Sequence, residues 1–465
     1  MTKIKFGTDG WRAIIAQEFT TDNVARVAYA TALWIKENTD NHTAVVGFDC
    51  RFGGKLFTET TISVLINEGI TVYASDSFVS TPMVSLSTTI HNAYTGIVIT
   101  ASHNPPSYNG FKIKAHYGGP AIQAEIDAIE TKIPEEFTPS ILPFDELKKH
   151  DLVHMIDMEQ EYIDHVRNNF DIEKINSCGL KFGYDAMFGA GQNVIRRLIH
   201  NATLLHAEHN PSFEGQAPEP IARNLEEFSK LIAQTDIDSG LATDGDADRI
   251  GLFDENGKFV DSHHIILLLI RYLVEFKKEK GNVYTSFSCT SKIKSICDHY
   301  GLDHYVTKIG FKYICEEMIS NPTLLGGEES GGIAVNSHIP ERDGIWMGLI
   351  LWEYMANTGK SLNALIEEVY QITGSFAMDR YDLHVPEDQK HAIVKKCIEK
   401  SYASFEDYQV TGFENIDGYK FLLNEDNWVM IRPSGTEPVL RVYAQSENAN
   451  EVIKILDATK ATILF

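Results

Sequence analysis

The chain holds 465 residues with a formal charge of −24 and an apolar fraction of 43%, and no run of Lys or Arg offsets the acidic excess. That balance argues against nucleic acid and anionic membrane as partners, and leaves room for a small anion only where cations and backbone N–H groups cluster locally. The length exceeds what one ordinary core fills and predicts three or four domains, while six cysteines without C-x-x-C or zinc spacing fit reduced thiols in the cytosol.

The opening MTKIKFGTDGWR lacks the apolar stretch of a signal peptide. Thr20 or Thr21 is expected to cap a helix whose apolar stripe runs Val24, Val27, Ala28, Trp34, Ile35, and TAVVGFD after it reads as a buried strand. From there a strand, a helix and a second strand recur, and each second strand runs into a loop of unusual chemistry. The pairs are AVVGFDCR with GIVITASHNP, LKFGYDAMFGAG with SGLATDGDADR, and NVYTSFSCTS with TLLGGEESGG. Three similar α/β units are therefore expected over 1–150, 151–255 and 256–373. A smaller segment, 374–465, closes on an amphipathic helix through Val452, Ile453, Ile455 and Leu456. The longest apolar stretch, Ile265 to Ile270, stops at Arg271, far short of a membrane span, so a cytosolic protein with no membrane partner is expected. Ligands of open α/β sheets sit beyond the carboxyl ends of strands, so the unusual loops are expected to converge on one cleft.

The first loop, TASHNPPSYNGFKIK, sets Ser102 beside His103. It has no G-x-S-x-G elbow, and on an extended backbone adjacent side chains point opposite ways, so His103 is no automatic base for Ser102. Two readings stand at this point: a serine that carries phosphate beside Mg²⁺, and a plain Asn-Pro/Asn-Gly turn. Lys112 and Lys114 nearby favour an anion site. In the second loop, TDGDADR, Asp244, Asp246 and Asp248 alternate with small residues, and carboxylates so crowded repel unless a hard divalent cation holds them. An EF-hand fails because Arg249 stands where that loop needs glycine; a solvated acidic turn is the bland alternative. The third loop, GGEESGG, offers Glu328, Glu329 and Ser330 either to vicinal hydroxyls or as a Gly-rich surface turn. The fourth, RPSGTEP, joins Arg432 to the hydroxyls of Ser434 and Thr436 around Gly435, which suits an anion-binding nest, with a capped turn as the alternative. Together the four describe a sugar-like substrate held by one phosphate while another phosphoryl group is exchanged at Ser102.

As an ordered set, TASHNPPSYNGFK, DGDADR, GEESGG and RPSGTEP resemble the phosphoserine, metal, sugar and phosphate loops of the α-D-phosphohexomutase superfamily. GTDGWR and NPSFEGQAPEP extend the resemblance over the whole chain. It implies three similar α/β domains with mixed sheets plus a smaller C-terminal α+β domain of the TATA-binding-protein-like type, around a central cleft. It also implies a phospho-Ser102 enzyme with Mg²⁺ held by that phosphate and by Asp244, Asp246 and Asp248. A sugar monophosphate is then converted through a 1,6-bisphosphate that turns around without leaving, so glucose 1,6-bisphosphate is the expected intermediate and activator. By the same resemblance Lys112 matches the general base, Arg12 and Arg249 stabilise charge beside the phosphoserine, and His103 and Lys312 are further catalytic candidates. Glu328 and Ser330 match residues that hold sugar hydroxyls, and Arg432, Ser434, Gly435 and Thr436 match the clamp on the non-reacting phosphate. The fourth domain is expected to close over the substrate and exclude water.

TKIGFKYI, with Lys312, and GEESGG are similar to the phosphoglucomutase branch; phosphomannomutase/phosphoglucomutase enzymes often carry a Gly-His pair in the first segment and phosphoglucosamine mutases a Gly-Asp-Arg. Asp9 replaces a serine common in the N-terminal motif, and no histidine stands at Gly310-Phe311. Glucose phosphate is the expected substrate and mannose phosphate the second. Two rivals come from other classes. A Mg²⁺-dependent sugar phosphatase would need no second phosphate clamp, and a non-catalytic phosphosugar sensor would have no use for Ser102 and the aspartates together.

Overall fold

The computed structural model describes residues 3–434 and 439–464. Thr20 caps the first helix, Thr21–Asn38, its Oγ1 accepting from Asn23 N at 3.3 Å, and Val24, Val27, Ala28, Trp34 and Ile35 are buried along one face. The β-branched run that follows, Thr43–Phe48, lies inside a six-stranded mixed sheet. Its order is Trp11–Ile14, Tyr108–Ala115, Thr95–Ile99, Thr43–Phe48, Thr71–Ala74, Val153–Met155. The last four strands are parallel, whereas Tyr108–Ala115 runs against Thr95–Ile99 and Trp11–Ile14 against Tyr108–Ala115.

The next sheet has five strands, Phe259–Val260, Ile250–Phe253, Ser239–Thr243, Phe182–Asp185 and Thr203–Leu205; the third has four, His304–Thr307, Asn282–Ser286, Thr323–Gly327 and Ile333–Val335. Both are again mixed, with a parallel centre and an antiparallel hairpin. In all three sheets the unusual loop is the turn of that hairpin, joining Thr95–Ile99 to Tyr108–Ala115, Ser239–Thr243 to Ile250–Phe253, and Thr323–Gly327 to Ile333–Val335. Topological equivalence therefore underlies the repeat seen in the sequence. The C-terminal part is an antiparallel sheet of five strands, Ala377–His384, Val439–Ser446, Trp428–Pro433, Tyr419–Leu422 and Gly412–Glu414, against which the helix Ala449–Leu464 packs. Four α/β domains result, three with mixed sheets and a smaller one with an antiparallel sheet.

Val84 and Met158 beside the first sheet, Tyr184 and Leu241 of the second, and Leu325 and Ile333 of the third belong to one contiguous apolar core. The apolar stretch Ile265–Ile270 is in this core, inside the helix Ser262–Glu275, and Arg271 leaves it to pair with Glu368 at 2.6 Å. Among the described residues no helix is long and apolar enough to cross a membrane. The six cysteines are all free. Because the core runs through three domains, their loops are held in fixed relation. At Gly331, φ +86°, the third loop lies flat against the second domain: its carbonyl accepts from Ile250 N at 3.1 Å, and an added Cβ would stand 2.6 Å from the Ile250 carbonyl oxygen.

Candidate active site

Ser102 is 1% exposed and sits at φ +52°, a left-handed conformation that costs a non-glycine residue about 1 kcal/mol or more. Its surroundings hold it there. The Ser102 N–H donates to Thr100 Oγ1 at 2.9 Å, and the Ser102 carbonyl accepts from Arg51 Nη2 at 2.6 Å. Arg51 is fully buried and donates further to the carbonyls of Asn104 (2.6 Å), Pro105 (2.8 Å) and Tyr108 (3.1 Å), so one guanidinium spans the whole loop. Burial pushes its partner Asp49 up to about 6, against the opposing pull of Arg51 and of the Thr100 hydroxyl. The left-handed turn also overturns one expectation: Ser102 is not extended, and its Oγ comes within 3.4 Å of His103 Nδ1. Burial, then the nearby Arg249 and Arg12, push that imidazole well below the usual histidine range.

The Ser102 hydroxyl donates to Asp244 Oδ2 at 2.6 Å, so the first and second unusual loops meet at the serine itself. The close fit needs Gly245, where an added Cβ would lie 2.5 Å from the Ser102 carbonyl oxygen. Asp244, Asp246 and Asp248 are fully buried, and each offers a carboxylate oxygen within 4.8 Å of the others. Burial, then repulsion from Asp246 and Asp248, raises Asp244 well above the carboxylate range. Asp246 Oδ1 and Asp248 Oδ1 have no hydrogen-bond partner among the described residues. Two orphaned buried carboxylate oxygens beside a third carboxylate form a hard-oxygen donor set that fits Mg²⁺.

The opposite oxygens are neutralised by the chain. Lys112 Nζ, with no exposure, lies 2.7 Å from Asp246 Oδ2, 2.8 Å from Asp248 Oδ2 and 2.8 Å from Asp9 Oδ2. Desolvation would lower this ammonium, and the three carboxylates overcome it, so its proton is held above the usual lysine range. Lys114 Nζ pairs with the buried Glu341 at 2.6 Å. The two lysines expected to favour an anion thus spend their charge on carboxylates, Lys112 on the acidic loop that packs on its strand and Lys114 on Glu341 from the segment after the third loop. Arg342 completes the lattice, its Nη2 bonding Asp9 Oδ2 at 2.6 Å and Asp248 Oδ2 at 2.8 Å. Burial alone would raise Asp9, but Arg342, Lys112, Lys114 and Arg12 hold it well below the carboxylate range. Arg12 reaches Asn104 Oδ1 at 2.9 Å, and Arg249 contributes its backbone N–H to Asp244 Oδ1 at 3.1 Å and its guanidinium to Glu219 at 3.7 Å.

The third and fourth loops meet at the segment before the helix Phe311–Ser320. Glu328 Oε1 accepts from Gly310 N at 2.8 Å, and the next residue back, Ile309, donates its N–H to Asp417 Oδ2 at 2.9 Å. Asp417 in turn holds the Arg432 guanidinium through Nε and Nη2, both at 3.3 Å. Burial raises Glu328. Ser330 is partly exposed beside it, and Ser434 N donates to the Val439 carbonyl at 2.9 Å. Gly435 and Thr436 lie outside the described residues. Lys312 hydrogen-bonds Gln123 of the first domain rather than a member of the serine–aspartate group. Arg342, Glu341, Asp49 and Arg51 escaped the sequence reading. The signals available for them were the charged triplet in IPERDG after the third loop and the FDCR that ends the first strand of the repeat.

A buried serine facing a carboxylate trio where two domains meet suits phosphoryl transfer. Comparison with known proteins gives the family. Residues 3–139, 160–257, 261–372 and 384–461 match, in order, the phosphoglucomutase/phosphomannomutase alpha/beta/alpha domains I, II and III and the C-terminal domain. The chain is 30% identical over 460 residues to a phosphoglucomutase/phosphomannomutase of Thermococcus kodakarensis, covering 97% of this chain and 96% of the relative. It is 29% identical over 440 residues to a phosphoglucosamine mutase of Methanocaldococcus jannaschii, covering 93% of each. The crystal structure of a candidate phosphomannomutase from Thermus thermophilus superposes over the whole of both chains with a TM-score of 0.88 at 30% identity. The chain belongs to the phosphoglucomutase/phosphomannomutase family and is a phosphohexomutase, an isomerase-type phosphotransferase.

Proposed function

We propose that the enzyme interconverts glucose 1-phosphate and glucose 6-phosphate through phospho-Ser102 and glucose 1,6-bisphosphate, with mannose phosphate as the second hexose. The observation that carries this reading is the 2.6 Å hydrogen bond from Ser102 Oγ to Asp244 beside a carboxylate trio that has oxygens to spare. When the bisphosphate phosphorylates the serine, a bond forms between Ser102 Oγ and phosphorus and the bond from phosphorus to the sugar oxygen breaks. Asp244 Oδ2, which accepts the Ser102 hydroxyl at 2.6 Å, is the group assigned to take the serine proton. Lys112, an ammonium here, supplies a proton to the departing sugar oxygen and takes it back in the reverse direction. Mg²⁺, held by Asp244, Asp246, Asp248 and the phosphate on Ser102, would neutralise charge on the transferred phosphoryl group. Arg12 and Arg249 flank the serine loop and would add to that neutralisation.

Glu328 and Ser330 would hold ring hydroxyls, and Arg432 and Ser434, with Gly435 and Thr436, the phosphate that does not react. Arg432 would exchange Asp417 for that phosphate, a swap of one anion for another. Lys312 supports the glucose branch. The six free cysteines support a cytosolic location. Glucosamine 1-phosphate is the competing substrate, because the Methanocaldococcus relative bears that name. A coupled assay with Mg²⁺, a trace of glucose 1,6-bisphosphate and glucose, mannose or glucosamine 1-phosphate in parallel tests the choice. The largest kcat/KM is expected for glucose 1-phosphate; a larger value for glucosamine 1-phosphate would move the enzyme to the other branch.

A further inference from the structure

Asp49 touches none of the groups assigned to the chemistry, yet both arms that grip Ser102 return to its carboxylate. Its Oδ2 accepts from Thr100 Oγ1 at 2.5 Å, and that same hydroxyl oxygen accepts the Ser102 N–H at 2.9 Å. Asp49 also forms a 3.3 Å ion pair with Arg51 Nε and accepts from Arg51 N at 2.9 Å, and Arg51 Nη2 donates to the Ser102 carbonyl at 2.6 Å. The peptide groups on either side of the Ser102 Cα are thus tied to one buried anion. The far face of the Arg51 guanidinium is covered by the Phe213 ring at 5.1 Å, from the NPSFEG segment of the second domain. A lone left-handed serine would relax toward an extended backbone, and that relaxation swings Oγ away from Asp244.

We propose that Asp49 is a positioning residue for phosphoryl transfer, acting through Arg51 on the Ser102 carbonyl and through Thr100 on the Ser102 N–H to hold the serine in the conformation that aims Oγ at Asp244. The proposal rests on the reading of Ser102 as phosphoryl carrier. Small misplacement of a reacting atom lowers the chemical rate far more than it weakens binding. The distinguishing readout is therefore a split between kcat and KM.

The test uses the full chain and the variants Asp49→Asn, Thr100→Val and Thr100→Ser, with phosphate transfer from glucose 1,6-bisphosphate to Ser102 followed in a single turnover by mass spectrometry. Asp49→Asn and Thr100→Val are each expected to slow that transfer and kcat by about tenfold or more with KM within about twofold, and Thr100→Ser, which keeps the hydroxyl, to regain most of the rate. Thr100→Val alone decides the matter if Asp49→Asn does not fold. Wild-type transfer rates in folded Thr100→Val would overturn the positioning role and leave the carrier reading intact. A KM that rises while kcat holds would also overturn it. If the unaltered enzyme takes no phosphate on Ser102, the carrier reading fails, and the positioning role with it.

Discussion

Ser102→Ala is expected to lower turnover by at least about a thousandfold while leaving the fold and the binding of glucose 1,6-bisphosphate measurable. The substitution removes one oxygen from a residue that is 1% exposed, so it opens no sizeable cavity. It deprives Asp244 Oδ2 of its hydroxyl donor, a modest cost beside the loss of the oxygen proposed to carry the phosphoryl group. Steady-state kinetics with glucose 1-phosphate, together with bisphosphate titration of the variant, check both halves. A rate near that of the unaltered enzyme would remove Ser102 from the chemistry.

The second large effect is expected at Lys112. Its ammonium faces Asp9, Asp246 and Asp248 with no access to water, and deleting one member of a buried ionic lattice leaves uncompensated charge worth about 3–5 kcal/mol. Arg342 still answers Asp9 and Asp248, so Asp246 is the carboxylate left most exposed to the loss. Lys112→Met should therefore melt well below the parent in chelator, and Mg²⁺ should restore part of the difference, because the cation answers the same carboxylates. Activity should not return with the stability, since methionine cannot move a proton. Melting in chelator that matches the parent would mean that Lys112 is not the principal counter-charge of the aspartates.

The fold was legible because strand periodicity and the recurring loops are local signals. Thr20 caps where the sequence places a cap, and the strands flanking DGDADR form the hairpin that excludes an EF-hand. What the sequence could not convey were pairings between residues far apart in the chain. Lys114 looks like an anion-binding lysine until Glu341 is seen 2.6 Å from it, and Arg342 has no visible purpose until Asp9 and Asp248 are brought to it. The closeness of His103 to Ser102 Oγ was hidden for a different reason. The rule that neighbouring side chains diverge assumes an extended backbone, and Ser102 is left-handed because Asp49, Thr100 and Arg51 tie its peptide groups in place. The loops could be located from residue types; the electrostatic lattice beneath them required the three domains to be assembled.

The most direct test of the central claim is to incubate dephosphorylated protein with glucose 1,6-bisphosphate and Mg²⁺ and to map phosphate by peptide mass spectrometry. The account predicts phosphate on Ser102 with release of a glucose monophosphate, and its return as bisphosphate when glucose 1-phosphate is then added. An unmodified Ser102, or a phosphoserine that yields only inorganic phosphate, would contradict it.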